Sequence, residues 1–257
     1  MTGGGAFVDL AEKLADAAAP IHRRYFRAAT TVETKADASP VTVADREAET
    51  AMRAILAAEV PDHGILGEEY GNQRIDAEYV WVLDPLDGTK SFITGKPTFG
   101  TLIGLAHRGL PVLGVMDQPI LNERWIGIEG QTTTFNGTSI ATRPCGALEQ
   151  AWLSATSPGM FAGNDFTGFE RLRKRVWHTV YGSECLAYGL LAMGFIDLVV
   201  EADLKPFDFC ALVPVVKGAG GAMTDWQGQP LTLKSDGRVV ASGDAGLLDA
   251  ALAALAG

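Results

Sequence analysis

The sequence predicts a layered fold mixing helices and sheets (α+β or α/β), formed as one large domain or as two fused halves sharing a core. Three observations support this. A length of 257 residues suits a unit of that size. Hydrophobic residues make up 47% of the chain and charged residues only 20%, the composition of a well-buried globular protein. Short apolar runs of the buried-strand type alternate with stretches of helical period.

Phe7, Leu10, Ala11, Leu14, Ala18 and Ile21 recur at helical spacing, giving a first amphipathic helix that Pro20 is expected to kink or shorten. Thr42 is a natural N-cap for a second helix over 43–60, with Ala44, Ala51, Ile55 and Leu56 on its apolar face and Pro61-Asp62 at its end. Strands follow at 65–67 and 80–83. Segments 101–106 and 112–116 flank His107-Arg108-Gly109-Leu110-Pro111 as a hairpin, and 124–128 extends the same sheet. In the second half 152–154, 176–180 and 197–200 read as strands, and 184–193 as a helix. Segment 207–218 reads as a helix closed by Gly220-Gly221, and 246–255 as a final Ala/Leu-rich helix. A break near Pro144-Cys145-Gly146 divides an N-terminal subdomain, 1–145, from a C-terminal one, 146–257.

A formal net charge of −10 argues against a nucleic-acid or anionic-membrane surface, which would need a basic patch. Cys145, Cys185 and Cys210 form no CxxC pattern and no disulfide framework; they read as small buried hydrophobes in a reducing cytoplasm. Asp9, Glu12 and Asp16 interrupt the N-terminal apolar residues, so no signal peptide is expected. No stretch approaches the ~18 continuous apolar residues of a membrane span. A soluble, cytoplasmic protein is the expectation.

The chemistry concentrates in Trp81-Val82-Leu83-Asp84-Pro85-Leu86-Asp87-Gly88-Thr89. Pro85 is expected to end a strand after Asp84 by removing a backbone donor, and the turn to swing Asp87 back toward Asp84. Two hard carboxylates on a tight turn suit Mg²⁺, and the N–H groups of a helix start at Gly88-Thr89 suit a phosphate. Asp-x-x-Asp beside a glycine is also an ordinary loop pattern, so acids elsewhere must strengthen it. Glu68 stands just past a strand's carboxyl end, where open α/β sheets place ligands, with Glu69 as the weaker choice. Asp45, three residues after the Thr42 N-cap, and Asp208, after Pro206-Phe207, each have a plain structural role as first-turn acids. If Glu68, Asp84, Asp87 and Asp208 converge, each pair of charges ~4 Å apart costs about 4 kcal/mol at an effective dielectric of ~20. Convergence would therefore require bound cations.

Gly67-Glu68-Glu69, Asp84-Pro85-Leu86-Asp87-Gly88-Thr89, and Phe207-Asp208 followed by Gly218-Ala219-Gly220-Gly221 resemble, in order and spacing, the motifs of the inositol monophosphatase superfamily. The resemblance implies a five-layer α-β-α-β-α sandwich and hydrolysis of a small-molecule phosphate monoester. It further implies two or three Mg²⁺ per active site and a homodimer. Glu68 and Asp84 would hold one Mg²⁺ with the Leu86 carbonyl, and Asp84 would bridge to a second held also by Asp87 and Asp208. Gly88 and Thr89 would give N–H groups to the phosphate, and Thr89 and Asp45 would orient and activate water. Lys35 matches a lysine that supports the metal loop, or is simply exposed in a polar loop. No phosphoenzyme nucleophile stands out, so direct in-line attack by water on the metal-neutralised phosphate is expected.

Within that superfamily the chain looks most similar to bacterial histidinol-phosphate phosphatases of histidine biosynthesis. Gly114-Val115-Met116-Asp117-Gln118-Pro119-Ile120, Glu123-Arg124-Trp125-Ile126-Gly127 and Leu204-Lys205-Pro206-Phe207-Asp208-Phe209 carry that likeness, with Phe207 where many inositol-type members have Trp. A cationic substrate wants carboxylates away from the metals. Glu201 matches the family's substrate-contacting glutamate, and Ser183-Glu184 is a second candidate; strand-end and helix-start acids are the structural alternatives. The alternative activity is that of an inositol-1-monophosphatase or broad sugar-phosphate phosphatase. A non-catalytic, metal-binding regulatory protein is the reading of another class, and the complete acid set counts against it.

Overall fold

The computed structural model describes residues 4–28, 32–34 and 40–257. The first half runs α1 (Gly4–Tyr25), β1 (Val32–Thr34), β2 (Pro40–Thr42), α2 (Val43–Glu59), β3 (Gly64–Gly67), β4 (Gly71–Gln73), β5 (Tyr79–Asp87) and α3 (Thr89–Ile93). Then come β6 (Gly100–His107), β7 (Leu110–Gln118), β8 (Glu123–Ile128), β9 (Thr134–Phe135) and β10 (Thr138–Ser139). The second half runs β11 (Trp152–Ala155), α4 (Gly163–Arg173), β12 (His178–Tyr181), α5 (Leu186–Ala192) and β13 (Leu198–Glu201). It ends with α6 (Pro206–Phe209), α7 (Leu212–Gly218), β14 (Ala222–Thr224), β15 (Val239–Ser242) and α8 (Ala245–Ala256).

An eight-stranded sheet has the order β10-β9-β8-β7-β6-β5-β3-β4, and a five-stranded sheet the order β12-β11-β13-β15-β14. The period of two along β5 shows how the layers stack. Trp81 and Leu83 face Leu14 and Met52 of α1 and α2. Val80 and Val82 face the opposite way, packing with Phe207 of α6 and Cys210. On that second face Leu102, Met116 and Trp125 join Leu186, Leu191, Leu212 and Val215 of α5 and α7, which meet Val199 and Val239 of the smaller sheet. The far face of the smaller sheet packs Leu153, Leu198 and Val240 against Phe169 of α4 and Leu247 of α8. These are the five layers α-β-α-β-α. No helix among the described residues is long and apolar enough to cross a membrane. All three cysteines are free and buried.

Several elements differ from their sequence expectations for local reasons. Helix α1 continues past Pro20 to Tyr25. Leu14, Ala15, Ala18, Ala19 and His22 are buried on both sides of the proline, and this packing outweighs its cost of about 3 kcal/mol. The helix expected over 207–218 is split at Cys210-Ala211, because Pro214 cannot donate to the Cys210 carbonyl and its ring crowds it. Helix α5 begins at Leu186 instead of at residue 184, since Glu184 has a left-handed backbone with φ +48°. Strand β12 begins two residues later than expected. The elements α4, β14 and β15 had no expectation.

Helix α7 lies close on the hairpin of β7 and β8 because both strands carry a glycine beneath it. A Cβ on Gly114 would stand 1.8 Å from the Ala211 carbonyl oxygen, and one on Gly127 2.3 Å from the Val215 nitrogen. Both obstacles are backbone. Gly114→Ala is therefore expected to lower the unfolding free energy by about 1–3 kcal/mol. Gly146→Ala, with open space where its Cβ would be, should stay within about 0.5 kcal/mol of the parent. Urea melts check both, and equal midpoints would contradict the close approach of α7.

Candidate active site

Asp84 and Asp87 lie on the final stretch of β5, which does not end at Pro85. Pairing passes from Asp84↔Leu102 to Asp87↔Gly100, so Pro85 and Leu86 together stand opposite Thr101. This is a β-bulge, and Pro85 occupies a position where no ladder donor is needed. Residues three apart on a regular strand point to opposite faces; the one extra residue returns Asp87 to the face of Asp84. That face is the one shared with Val80 and Val82, toward α6.

Thr101 Oγ1 fixes the bulge by donating to the Pro85 carbonyl at 3.1 Å. With its proton so used, its 3.3 Å contact with His22 Nδ1 makes that ring nitrogen the donor. Burial pushes the His22 pKa down to about 3, so the ring is neutral.

Beyond the bulge, Gly88 takes φ +80° and starts α3. A Cβ at this position would stand 2.9 Å from Glu184 Cγ, so close approach as well as backbone conformation requires glycine. Thr89 Oγ1 lies 3.2 Å from both Asp45 Oδ1 and the Leu86 carbonyl oxygen. Asp45 closes the capping box of α2: its Oδ2 accepts from Thr42 N at 2.8 Å and from Thr42 Oγ1 at 2.6 Å. One oxygen caps the helix and the other meets Thr89. The structural role and the place in the site are thus compatible. Burial, ahead of the Glu68 charge, raises the Asp45 pKa.

Asp208 caps α6, accepting from Lys205 N at 2.6 Å. One carboxylate oxygen each of Asp84, Asp87 and Asp208 lies within 4.8 Å of the others. Burial is the largest cause that pushes all three pKa values up, Asp87 to about 7 and Asp84 and Asp208 well above the usual range. The charges that raise them further are acids: Glu68, Asp87 and Asp208 on Asp84, Glu184 and Glu201 on Asp87, Asp87, Glu68 and Glu201 on Asp208. Mutually repelling hard oxygen donors, Asp84 buried and Asp87 and Asp208 half-buried, fit a divalent cation of the Mg²⁺ type.

Glu68 follows β3, its amide donating to the Leu83 carbonyl at 3.2 Å, and its carboxyl acts on Asp84 by charge and by a hydrogen bond. Glu201 is no surface acid. It is buried, with Oε1 accepting from Thr156 N at 3.0 Å and Thr156 Oγ1 at 2.6 Å, and Oε2 from Tyr188 OH at 2.8 Å. Glu184 accepts from Ser91 Oγ at 2.9 Å, and Ser183 beside it is half-buried. Glu184, Glu201, Asp87 and Asp208 line one cavity of about 130 Å³ with Thr156 and Tyr188. Lys35 lies outside the described residues.

The sequence reading missed four contributors. Thr156 and Tyr188 hold Glu201, the Cys185 amide donates to Asp87 Oδ2 at 2.8 Å, and buried Glu49 accepts from the amides of Glu69 and Tyr70. For Glu49 a signal existed. Asp45, Ala48, Glu49, Met52 and Leu56 form the buried stripe of α2, so two acids occupy positions that an apolar face reserves for hydrophobes. The other three depend on contacts between distant segments.

The model of the inositol monophosphatase family matches residues 6–256. The chain is similar to the bifunctional phosphatase IMPL2, chloroplastic, of Arabidopsis thaliana, with 49% identity over 97% of this chain and 75% of that one. It is similar to an inositol monophosphatase from Zymomonas mobilis of known structure, with 50% identity, a TM-score of 0.92 and coverage of 100% of both chains. A histidinol-phosphatase of Mycobacterium tuberculosis stands lower, at 34% identity over 85% of this chain and 87% of its own. The expected closer likeness to histidinol-phosphate phosphatases is thereby corrected. The physical reason lies in the segments that suggested it. Gly114 and Gly127 are packing requirements beneath α7, and Phe207 packs against Val80 and Val82, so these positions report scaffold and not substrate. What the bulge, the three clustered aspartates and the match over residues 6–256 establish together is that the chain belongs to the inositol monophosphatase family.

Proposed function

We propose that this Mg²⁺-dependent phosphate-monoester hydrolase acts on phosphorylated polyols, an inositol monophosphate or a related sugar phosphate. The observation that carries the reading is the full-length likeness to the Zymomonas mobilis inositol monophosphatase, at a TM-score of 0.92. The proposed metal ligands are Glu68, Asp84, the Leu86 carbonyl, Asp87 and Asp208, for two or three ions. Bound Mg²⁺ supplies neutralisation of the phosphoryl oxygens and a more acidic water.

The remaining work belongs to the chain's own groups. The amides of Gly88 and Thr89, at a helix start and so without intrahelical acceptors, are proposed to hold the phosphate. Thr89 and Asp45 are proposed to orient the attacking water, and the raised pKa of Asp45 brings its carboxylate nearer the range where it takes a proton at neutral pH. Glu201, with Ser183 and Glu184, is proposed to receive the alcohol. Glu201 already accepts from Thr156 N, Thr156 Oγ1 and Tyr188 OH. A carboxylate has about four acceptor sites, which leaves about one for a substrate hydroxyl. Polyol hydroxyls supply such donors without burying a countercharge. A homodimer is part of the same proposal, and the mass in solution tests it.

Phosphate release from inositol-1-phosphate, a panel of sugar phosphates and histidinol phosphate, each with Mg²⁺, tests the substrate class. The expected order has a polyol phosphate first; a strong preference for histidinol phosphate would overturn it.

Loss of an outer-shell partner alone costs about 10–100-fold in metal affinity or activity, so Asp208→Asn is expected to lower kcat by more than about 100-fold. Asparagine keeps an acceptor for Lys205 N and relieves repulsion, so the metal-free variant should melt no lower than the parent. Activity near that of the parent would remove Asp208 from the ligand set.

The acid cluster also sets a pH dependence. Asp87 has a folded pKa of about 7, above its ordinary value, so its contribution to metal-free stability is complete below about pH 4 and is lost as pH rises through about 7. Mg²⁺ reverses that loss by binding the charged form. The Mg²⁺-induced rise in Tm should therefore be small at pH 5 and grow toward pH 8. Calorimetric melts with and without Mg²⁺ would contradict this if the rise were the same at every pH.

A further inference from the structure

Glu49 lies on α2 one turn after Asp45, fully buried, and reaches across to the turn that carries Glu68. Its Oε2 accepts from Glu69 N at 2.7 Å, and its Oε1 accepts from Tyr70 N at 3.2 Å and from Arg53 Nε at 2.7 Å. Arg53 also donates to the Gly71 carbonyl, so the pair grips the 68–71 turn at three backbone groups. Gly67 leaves room for this grip. A Cβ there would stand 2.2 Å from Glu49 Oε1 and 2.6 Å from an Arg53 terminal nitrogen.

We propose that Glu49 is a positioning residue: by holding the amides of the 68–71 turn it sets the Glu68 carboxylate for Mg²⁺, so that metal affinity depends on a side chain that does not touch the metal. The inference rests on the metal-ligand reading above and extends it by one shell. Two features favour positioning over a role in fold stability alone. The grip is on the residues directly following Glu68 rather than on the core. The charge of Glu68 acts on Asp84, Asp45 and Asp208, so a displaced turn changes the field at all three. Glutamine cannot substitute. Both carboxylate oxygens accept from N–H donors, and an amide would turn its own NH₂ toward one of them.

The test titrates metal-free protein with Mg²⁺ alone by calorimetry and follows hydrogen exchange at the amides of Glu69 and Tyr70. Glu49→Gln is expected to raise the Mg²⁺ Kd about 10-fold and to speed exchange at both amides. KM for the phosphate ester at saturating Mg²⁺ should stay unchanged, and excess Mg²⁺ should restore kcat. Leu56→Ala, a core truncation on the same helix, should lower Tm and leave the Mg²⁺ Kd alone. A parental Mg²⁺ Kd in Glu49→Gln, or an equal shift in Leu56→Ala, overturns the proposal. Should Glu49→Gln fail to fold, Arg53→Gln is read in the same way, with a weaker Mg²⁺ Kd expected and an unchanged one fatal. A parent protein that takes up no Mg²⁺ would instead sink the metal reading itself, a result distinct from parent and variant binding alike.

Discussion

The structure is organised around a repulsion. Carboxylate oxygens of Asp84, Asp87 and Asp208 are held within 4.8 Å of one another, mostly out of water. At an effective dielectric of ~20 each charged pair at such a distance costs about 3–4 kcal/mol, and a whole domain is stable by only about 5–15 kcal/mol. The cluster persists because each acid is tied by one backbone amide, Leu86 N to Asp84, Cys185 N to Asp87 and Lys205 N to Asp208. A carboxylate with one oxygen fixed in this way can turn its other oxygen inward. Burial, and after it the mutual repulsion, raises the pKa values of these acids, so that without a cation protonation relieves the cluster.

Holding such a cluster requires elements that cannot yield independently. Asp84 and Asp87 belong to a strand of the eight-stranded sheet, while Asp208 starts a helix of the layer between the sheets. The glycines beneath α7 let that layer approach the first sheet closely, and Cys210 packs against Val80 and Val82 next to the acids. Helix α2 supports the opposite side. Asp45 meets Thr89, and Glu49, a turn later, holds the loop of Glu68. A single helix therefore relates the Asp45–Thr89 contact to the turn that follows Glu68, about 6 Å apart along its axis.

Much of this was legible in the sequence because short-range chemistry encodes it. The Thr42 cap, the β6–β7 hairpin and the order of the acid motifs follow from residue type and spacing, and the five layers follow from the family those motifs resemble. What stayed hidden is set by partners distant in the chain. Pro85 looked like a strand end, because a bulge shows itself only in the register of the neighbouring strand. Glu184 looked like a helix start, because its left-handed backbone is fixed between Gly88 and Ser91 of another element. Residues of the β7–β8 hairpin looked like a substrate signature, whereas their glycines answer to the backbone of α7.

The three clustered aspartates and the cavity lined by Glu184 and Glu201 form one electrostatic unit. Glu184 is the largest charge acting on Asp87, and Glu201 acts on both Asp87 and Asp208. Glu184 and Glu201 thus add to the repulsion within the aspartate cluster, and a divalent cation bound there would lower it. Under the proposed function, a phosphate ester entering this cavity would meet an acidic wall whose charge bound cations would offset. Without such cations a dianionic phosphate there would face the carboxylates of Asp87, Glu184, Glu201 and Asp208, a repulsion that opposes its binding. Under the proposed function, metal occupancy would in this sense be a condition of substrate binding as well as of the chemical step.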